Sequence, residues 1–140
     1  MKERHCECCE SVLKTRFQKK YCSNKCQLEY QYKSYIQDWK KGKQTGTIGI
    51  NTRDLSEHLR RYLFRKFKSS CTVCGWNKKH PKTGSCPLEI DHIDGNSENN
   101  LEKNLRLICP NCHALTDNFK NRNRGNGRQW RMKKYIKNAA

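Results

Sequence analysis

Four closely spaced pairs of cysteines constrain the fold of this chain more than any other feature. The pairs are Cys6-x2-Cys9, Cys22-x3-Cys26, Cys71-x2-Cys74 and Cys109-x2-Cys112. Each short turn presents two sulfurs about 3.5 to 4 Å apart, and two such turns complete the tetrahedron of thiolates that Zn²⁺ prefers. The spacing therefore predicts two structural zinc sites, one formed by the first two pairs and one by the last two.

A chain of this composition needs such staples. Leu, Ile, Val and Phe account for 23 of the 140 residues, and the formal net charge is +17. So little apolar surface cannot offset the entropy lost on folding without a metal or a disulfide. The stretch from Met1 to Cys6 does not resemble a signal peptide, and no apolar run is long enough to cross a membrane. We therefore expect a cytoplasmic protein with reduced cysteines, stapled by zinc.

Two of the ten cysteines lie outside these pairs. Cys8 is close enough in sequence to Cys6 and Cys9 to replace either of them as a ligand, so its role stays open. For Cys86 we favour a small, partly buried apolar residue. Their roles cannot be fixed from spacing alone.

The sequence divides into a small zinc module at each side of a flexible stretch. Ser23 can cap a helix that runs to Trp39, and the Gly-rich stretch from Gly42 to Gly49 interrupts it. A second helix is predicted from Leu55 to Phe67, where apolar residues recur at helical spacing. We predict four segments: a zinc-finger module and helix (1–41), a linker (42–54), a second zinc-stapled domain (55–123) and a basic tail or helix (124–140).

The positive charge favours a nucleic-acid partner. Two zinc-bound tetrads would leave a net charge of about +13, still a strong positive field for a small protein. The last segment is the most basic for its length, and Trp39, Trp130 and Tyr135 lie among Lys and Arg residues. Aromatic side chains among cations suit a surface that follows phosphates. The alternative is a solvated cationic face that only maintains solubility.

The second zinc site encloses an inserted element, because 34 residues separate Cys74 from Cys109. Residues 88–96 alternate apolar and polar side chains and end in an Asp-Gly turn signal, which predicts a strand. Residues 104–108 read as the returning strand, and the chain after Cys112 can begin a helix that carries His113 and Leu115. Zinc would then clamp a strand, loop, strand and helix.

This element resembles the HNH nuclease family, whose fold is the ββα-metal finger. Three stretches carry the resemblance: Cys71-x2-Cys74-Gly-Trp76, Glu89-Ile-Asp-His-Ile-Asp-Gly-Asn96 and Asn104-Leu-Arg-Leu-Ile-Cys-Pro-Asn-Cys-His113. They are similar to those of small, often phage-encoded HNH endonucleases, and the resemblance as a whole covers residues 55–123. The resemblance implies a small α+β zinc-stapled protein, in which an HNH finger and an N-terminal module like a zinc finger or treble clef are joined by helices.

The resemblance also implies site residues and a reaction. His92 would be the general base, while Asp91 and His113 would hold one catalytic divalent ion such as Mg²⁺, Mn²⁺ or Ni²⁺. Asn104 would brace the loop that fixes His92. The implied activity is metal-dependent hydrolysis of double-stranded DNA, by nicking or double-strand cleavage, for homing or another phage function in the host cytoplasm. Because adjacent side chains of a regular strand point to opposite faces, Asp91 and His92 can share a site only at a strand end or distortion.

Alternatives stand beside these roles. Asp91 and Asp94 could only make turn hydrogen bonds, Asn104 could cap a turn, and His113 could simply begin a helix. Glu89 lies on the Asp91 side of the strand, where an auxiliary electrostatic role is open. The second functional class is a non-catalytic zinc-finger protein that binds or regulates DNA without cleaving it. Every expected catalytic position is occupied by a competent residue, and this favours the enzyme.

Overall fold

The computed structural model describes residues 3–48 and 54–125. The chain forms two compact units, Met1–Gln44 and Thr45–Ala140. Within the described residues it is a small α+β protein with one two-stranded sheet. Most of the predicted basic tail, including Trp130 and Tyr135, lies outside these residues. None of the described helices has the length and apolarity needed to span a membrane.

The N-terminal unit is a cysteine-rich loop followed by one long helix. A short bridge between His5 and Val12 closes the first knuckle. Helix α1 is Asn24–Lys40, and its N-cap Ser23 accepts a hydrogen bond from the amide of Cys26 at 3.3 Å. The cap confirms the predicted start of this helix. Its buried face consists of Tyr32, Ile36 and Trp39, which recur at helical spacing.

Helix α2, Glu57–Lys66, opens the main part of the second unit. It begins two residues later than predicted, because Leu55 forms a bridge with Thr47 and Ser56 then caps the helix. The Ser56 hydroxyl accepts from the amide of Leu59 at 3.2 Å. Leu59 and Leu63 are fully buried, and burial of each stabilises the fold by roughly 2 to 3 kcal/mol.

The sheet consists of two antiparallel strands, β1 (Glu89–His92) and β2 (Leu105–Ile108). A 3-10 turn at Glu102–Asn104 leads into β2. The core beneath the sheet is formed by buried aliphatic side chains and zinc-cluster cysteines together: Cys71, Leu88, Leu107, Ile108 and Cys109. The metal site and the apolar core of this unit are therefore one packed cluster.

Helix α3, Pro110–Ala114, follows β2 directly. The sequence predicted that it begins after Cys112, whereas it begins at Pro110, because the sulfur of Cys109 accepts the amide of Cys112 at 3.4 Å and acts as the N-cap. Proline suits the first helical position, since it has no amide hydrogen to satisfy there. Leu115 lies just past the helix and is 81% exposed, so the prediction that α3 carries it was wrong.

Cys109→Ser tests whether zinc holds the second unit together. The cysteine is buried, lies in one sulfur cluster with Cys71, Cys74 and Cys112, and caps α3. Since ligand loss weakens a structural zinc site whose binding energy is also folding energy, we expect one of two zinc ions to be lost and the second unit to unfold. Zinc content by mass spectrometry and thermal unfolding by circular dichroism measure both effects.

The matched control is Cys86→Ser, which removes a thiol that packs against the same core but lies outside the cluster. This variant should keep two zinc ions. Equal zinc content and equal melting in Cys109→Ser and the wild type would contradict the clamp.

Candidate functional site

The four predicted cysteine pairs converge into two sulfur clusters. One contains Cys6, Cys9, Cys22 and Cys26, and the other contains Cys71, Cys74, Cys109 and Cys112. Within each cluster the four sulfurs lie within 4.8 Å of one another. Thiolates bound to one zinc ion are about 3.8 Å apart, and the Cys74–Cys109 sulfur distance is 3.8 Å. Both clusters therefore fit zinc, and neither includes Cys8 or Cys86.

The pKa values of the cysteines follow the same pattern in both clusters. In each, the pKa of the first cysteine, Cys6 or Cys71, is lowered to about 6, and that of the last, Cys26 or Cys112, is raised to about 12. Burial raises the pKa of Cys6, but the amide of Cys22 and other backbone N–H groups outweigh it. Hydrogen bonds from neighbouring thiols raise the pKa of the last cysteine. In each cluster, backbone N–H groups thus stabilise negative charge on the first cysteine, which is the form that binds zinc.

A carboxylate and an imidazole, two side-chain types that can bind a divalent cation, lie together where α3 meets β1. Asp91 is buried on β1, and its Oδ1 lies 3.7 Å from Nε2 of His113 on α3. Two ligands about 2.1 Å from a common ion lie about 3.0 to 4.2 Å apart. The pair therefore fits one divalent cation between these atoms. The other ring nitrogen of His113, Nδ1, contacts the Glu89 carboxylate.

Arg106 completes the charge balance of this group. It lies opposite Asp91 in the sheet, and its Nε donates to Asp91 Oδ2 at 2.7 Å. One oxygen of Asp91 thus faces the guanidinium and the other faces His113. The site contains two carboxylates, a guanidinium and an imidazole, all within the zinc-stapled unit.

His92 is placed apart from the Asp91–His113 pair. It ends β1, and its Nε2 lies 2.8 Å from Oδ1 of Asn100. The ring lines a cavity of 590 Å³ that Arg60 of α2 also borders. Asn100 Nδ2 donates to the carbonyl of Thr45 at 3.0 Å, so its oxygen faces the imidazole. His92 Nε2 is then the protonated nitrogen, and Nδ1 is the basic one.

Asn104 organises the loop between the strands. Its Nδ2 donates to Asp94 Oδ1 and to the carbonyl of Asn99, both at 2.8 Å, and its Oδ1 accepts the amide of Asp94 at 3.0 Å. Burial raises the pKa of Asp94, but the Asn96 amide and the side chains of Asn99 and Asn104 outweigh it and lower the pKa. Asn104 itself is buried, with 6% of its surface exposed. These hydrogen bonds are of the kind that a residue bracing this loop would make.

The turn after β1 is closed from the other side by the segment that follows α3. Asn118 donates to the carbonyl of Ile93, and Asn123 donates to that of Gly95, both at 3.0 Å. Gly95 has φ of +72°, and a Cβ there would lie 2.7 Å from the Asn118 side chain. Glycine is therefore required at this position. The turn that follows His92 is locked between Asn104 and these two asparagines.

Arg106 and Asn100 were missed by sequence reasoning. The alternation of residues 104–108 places Arg106 on the polar face of its strand, and that signal was available. Its pairing with Asp91 depends on strand register, which the sequence does not specify. Asn100 lies eight residues after His92, in a polar loop with no periodic pattern. Nothing local could have distinguished it from its neighbours Asn96 and Asn99.

The fold and the site together define a class of protein: a small α+β protein with two sulfur clusters that fit zinc and a carboxylate–imidazole pair. Over 99 residues the chain is 34% identical to the H-N-H endonuclease F-TflIV of Escherichia phage T5. The match includes 71% of this chain but 40% of that protein, so the chain spans less than half of its relative. It identifies the chain as a relative of the HNH endonucleases and confirms the resemblance seen in the motifs. No family model matches the chain, and no solved structure matches it.

Asn104→Ala tests the loop geometry. The substitution removes three hydrogen bonds and leaves the Asp94 amide without its side-chain acceptor. We expect a loss of about 2 to 3 kcal/mol in the free energy of unfolding, typical of a buried polar group left unsatisfied. Urea unfolding followed by circular dichroism measures it. Asn77→Ala, at an exposed asparagine, should change the same quantity little, and equal stability of the two variants would contradict the bracing role.

Proposed function

We propose that this protein is a metal-dependent DNA endonuclease of the HNH type, which hydrolyses phosphodiester bonds. The observation that carries the proposal is the 3.7 Å separation of Asp91 Oδ1 from His113 Nε2, with His92 next to Asp91 at the end of β1. The similarity to an endonuclease of phage T5 supports the same activity. The chain's net charge of +17 suits a double-stranded DNA substrate.

Asp91 and His113 would hold the divalent cation. When bound, such an ion neutralises charge on the phosphate and stabilises the leaving oxygen. Glu89 orients His113 for this task, because a carboxylate on Nδ1 keeps the proton there and turns Nε2 toward the ion. Asn104 keeps the turn after His92 fixed.

His92 is proposed to act as the general base. Its Nε2 proton is held by Asn100, so Nδ1 is the nitrogen that would accept a proton from the attacking water. Since His92 is the last residue of β1, we expect a phosphate at this end of the strand to reach both His92 and the Asp91–His113 pair. A neutral imidazole with a fixed tautomer suits proton transfer near neutral pH.

The second candidate is a zinc protein that binds DNA without cleaving it. The Arg106–Asp91 and His113–Glu89 pairs favour it, because they satisfy the charges of the site without a further cation. The two candidates differ in one measurable property. The enzyme takes up a third metal ion and cuts DNA, whereas the binding protein does neither.

His92→Ala in a plasmid assay distinguishes the two candidates. Supercoiled plasmid is incubated with the protein and Mg²⁺, Mn²⁺ or Ni²⁺, and nicked and linear products are quantified. We expect metal-dependent cleavage by the wild type and a loss of about 100-fold or more in the variant, because general bases contribute rates of this order. His80→Ala, at an exposed histidine of the same unit, should cleave normally. DNA binding without cleavage under every metal would overturn the enzyme.

Glu89→Ala tests the orienting carboxylate by metal affinity, without any cleavage. Loss of such a partner weakens a histidine-bound metal by about 10- to 100-fold. We expect this loss when Mn²⁺ is titrated into zinc-loaded protein and followed by electron paramagnetic resonance. The Mn²⁺ affinity of Glu89→Gln should lie between those of the wild type and Glu89→Ala, because the amide oxygen still accepts a hydrogen bond from His113 Nδ1. The control Glu98→Gln changes an exposed carboxylate in the neighbouring loop. Unchanged affinity in Glu89→Ala would exclude the role.

A further inference from the structure

The N-terminal unit presents an exposed aromatic side chain at the tip of a basic loop. We name residues 14–20 the knuckle loop, because they lie between the two cysteine pairs of the first cluster. Phe17 within this loop is 79% exposed. A single exposed apolar side chain is ordinary on a protein surface, so Phe17 becomes a candidate contact for a partner only through the rigid, basic loop that presents it.

The knuckle loop is held in a fixed shape. Gln18 Oε1 accepts the amides of Lys14 at 2.8 Å and Thr15 at 3.1 Å, and Gln18 Nε2 donates to the carbonyl of Cys22 at 2.9 Å. The guanidinium of Arg4 donates to the carbonyls of Thr15 and Gln18, at 3.0 and 3.1 Å. These hydrogen bonds hold the chain at Thr15 and at Gln18, on the two sides of Phe17. The projection of Phe17 is a property of the folded loop, so little entropy is lost when it meets a partner.

The loop has no acidic residue and four basic ones: Lys14, Arg16, Lys19 and Lys20. The Arg16 guanidinium lies 4.9 Å from the centre of the Phe17 ring. Of the four, Lys20 has an acidic neighbour, Glu7, at 3.6 Å. An aromatic ring among cations matches a polyanion whose backbone is negative and whose units are flat, as in nucleic acids.

A groove of 440 Å³ begins at Phe17. Lys19, Lys20 and Tyr21 also line it. Two of the loop's four basic side chains therefore share one surface with the exposed ring. A partner seated there would meet phosphate-binding cations and an apolar stacking group together.

We infer that the knuckle loop is a DNA contact in which Phe17 stacks on, or inserts between, bases while the loop's basic side chains hold phosphates. Inserted Phe side chains are a known way to grip and kink a duplex. The inference rests on the proposed function for its choice of DNA as the partner. It assigns to the N-terminal zinc module a base-contacting role that is separate from cleavage.

Fluorine NMR tests the stacking directly. The full zinc-loaded chain is labelled with 4-fluorophenylalanine at its four Phe positions, and the Phe17 signal is identified from its loss in Phe17→Leu. A short duplex DNA, added without a catalytic metal ion, should shift that signal upfield, because stacked bases shield the ring. Heparin is the control, since it supplies anionic charge without bases and should leave the signal in place.

Affinity measurements test the energetic contribution. Phe17→Ala should bind the duplex about tenfold more weakly with an unchanged salt dependence, since stacking on one base is worth a factor of this order. The double variant Lys19→Ala, Lys20→Ala should instead reduce the slope of log affinity against log salt by about 2. Leu28→Ala removes an exposed apolar side chain of α1 in the same unit and should bind normally.

Wild-type affinity in Phe17→Ala, or a Phe17 signal that heparin shifts as much as DNA does, would overturn the stacking contact. A signal shifted only by an acidic protein would overturn DNA as the partner. These results are independent of the enzymatic proposal, because no step requires cleavage. A wild type that binds and shifts but never cuts would refute the nuclease and leave the knuckle loop's role intact.

Discussion

The second cysteine cluster is the constraint on which the second unit and its candidate site depend. Cys71 and Cys74 precede the sheet, and Cys109 and Cys112 follow it, so one metal ion bound by all four would close the whole inserted element. Cys109 belongs to the sulfur cluster that fits zinc and to the apolar core, and it is also the N-cap of α3. His113 is the residue after Cys112 on α3, so its place in the fold is tied to that of the sulfur cluster. The small number of aliphatic residues is sufficient because the core packs against this site.

Much of the framework could be predicted from the sequence because its signals are local. Cysteine spacing predicted both clusters, and Ser23 with the apolar spacing up to Trp39 predicted α1. Apolar and polar alternation predicted both strands of the sheet. Each of these signals is short and involves neighbours in sequence, so no knowledge of tertiary packing was needed. The beginning of α3 was mispredicted because a sulfur acts there as the cap, whereas sequence rules look for an oxygen.

The electrostatics of the site could not be predicted because they depend on register. Asp91 meets Arg106 only because these residues pair across the sheet, and a shift of one residue would send the guanidinium to the other face. The contact of Asn100 with His92 likewise depends on the path of the loop that joins the strands. The sequence could identify residues of suitable chemistry, but only the folded chain determines which of them form ion pairs or hydrogen bonds with one another.

The sequence left one geometrical problem, namely how adjacent residues of a strand can serve one reaction. The hydrogen-bonded ladder ends at His92, and the amides of the next two residues are both bound to Asn104, one to its carbonyl and one to its side chain. The chain therefore leaves the sheet immediately after His92. Asp91 faces His113, while His92 lies at the edge where the strand ends and the locked turn begins. Under the proposed function, a phosphate at that edge would have to approach both faces of β1, because strand alternation places Asp91 and His92 on opposite faces.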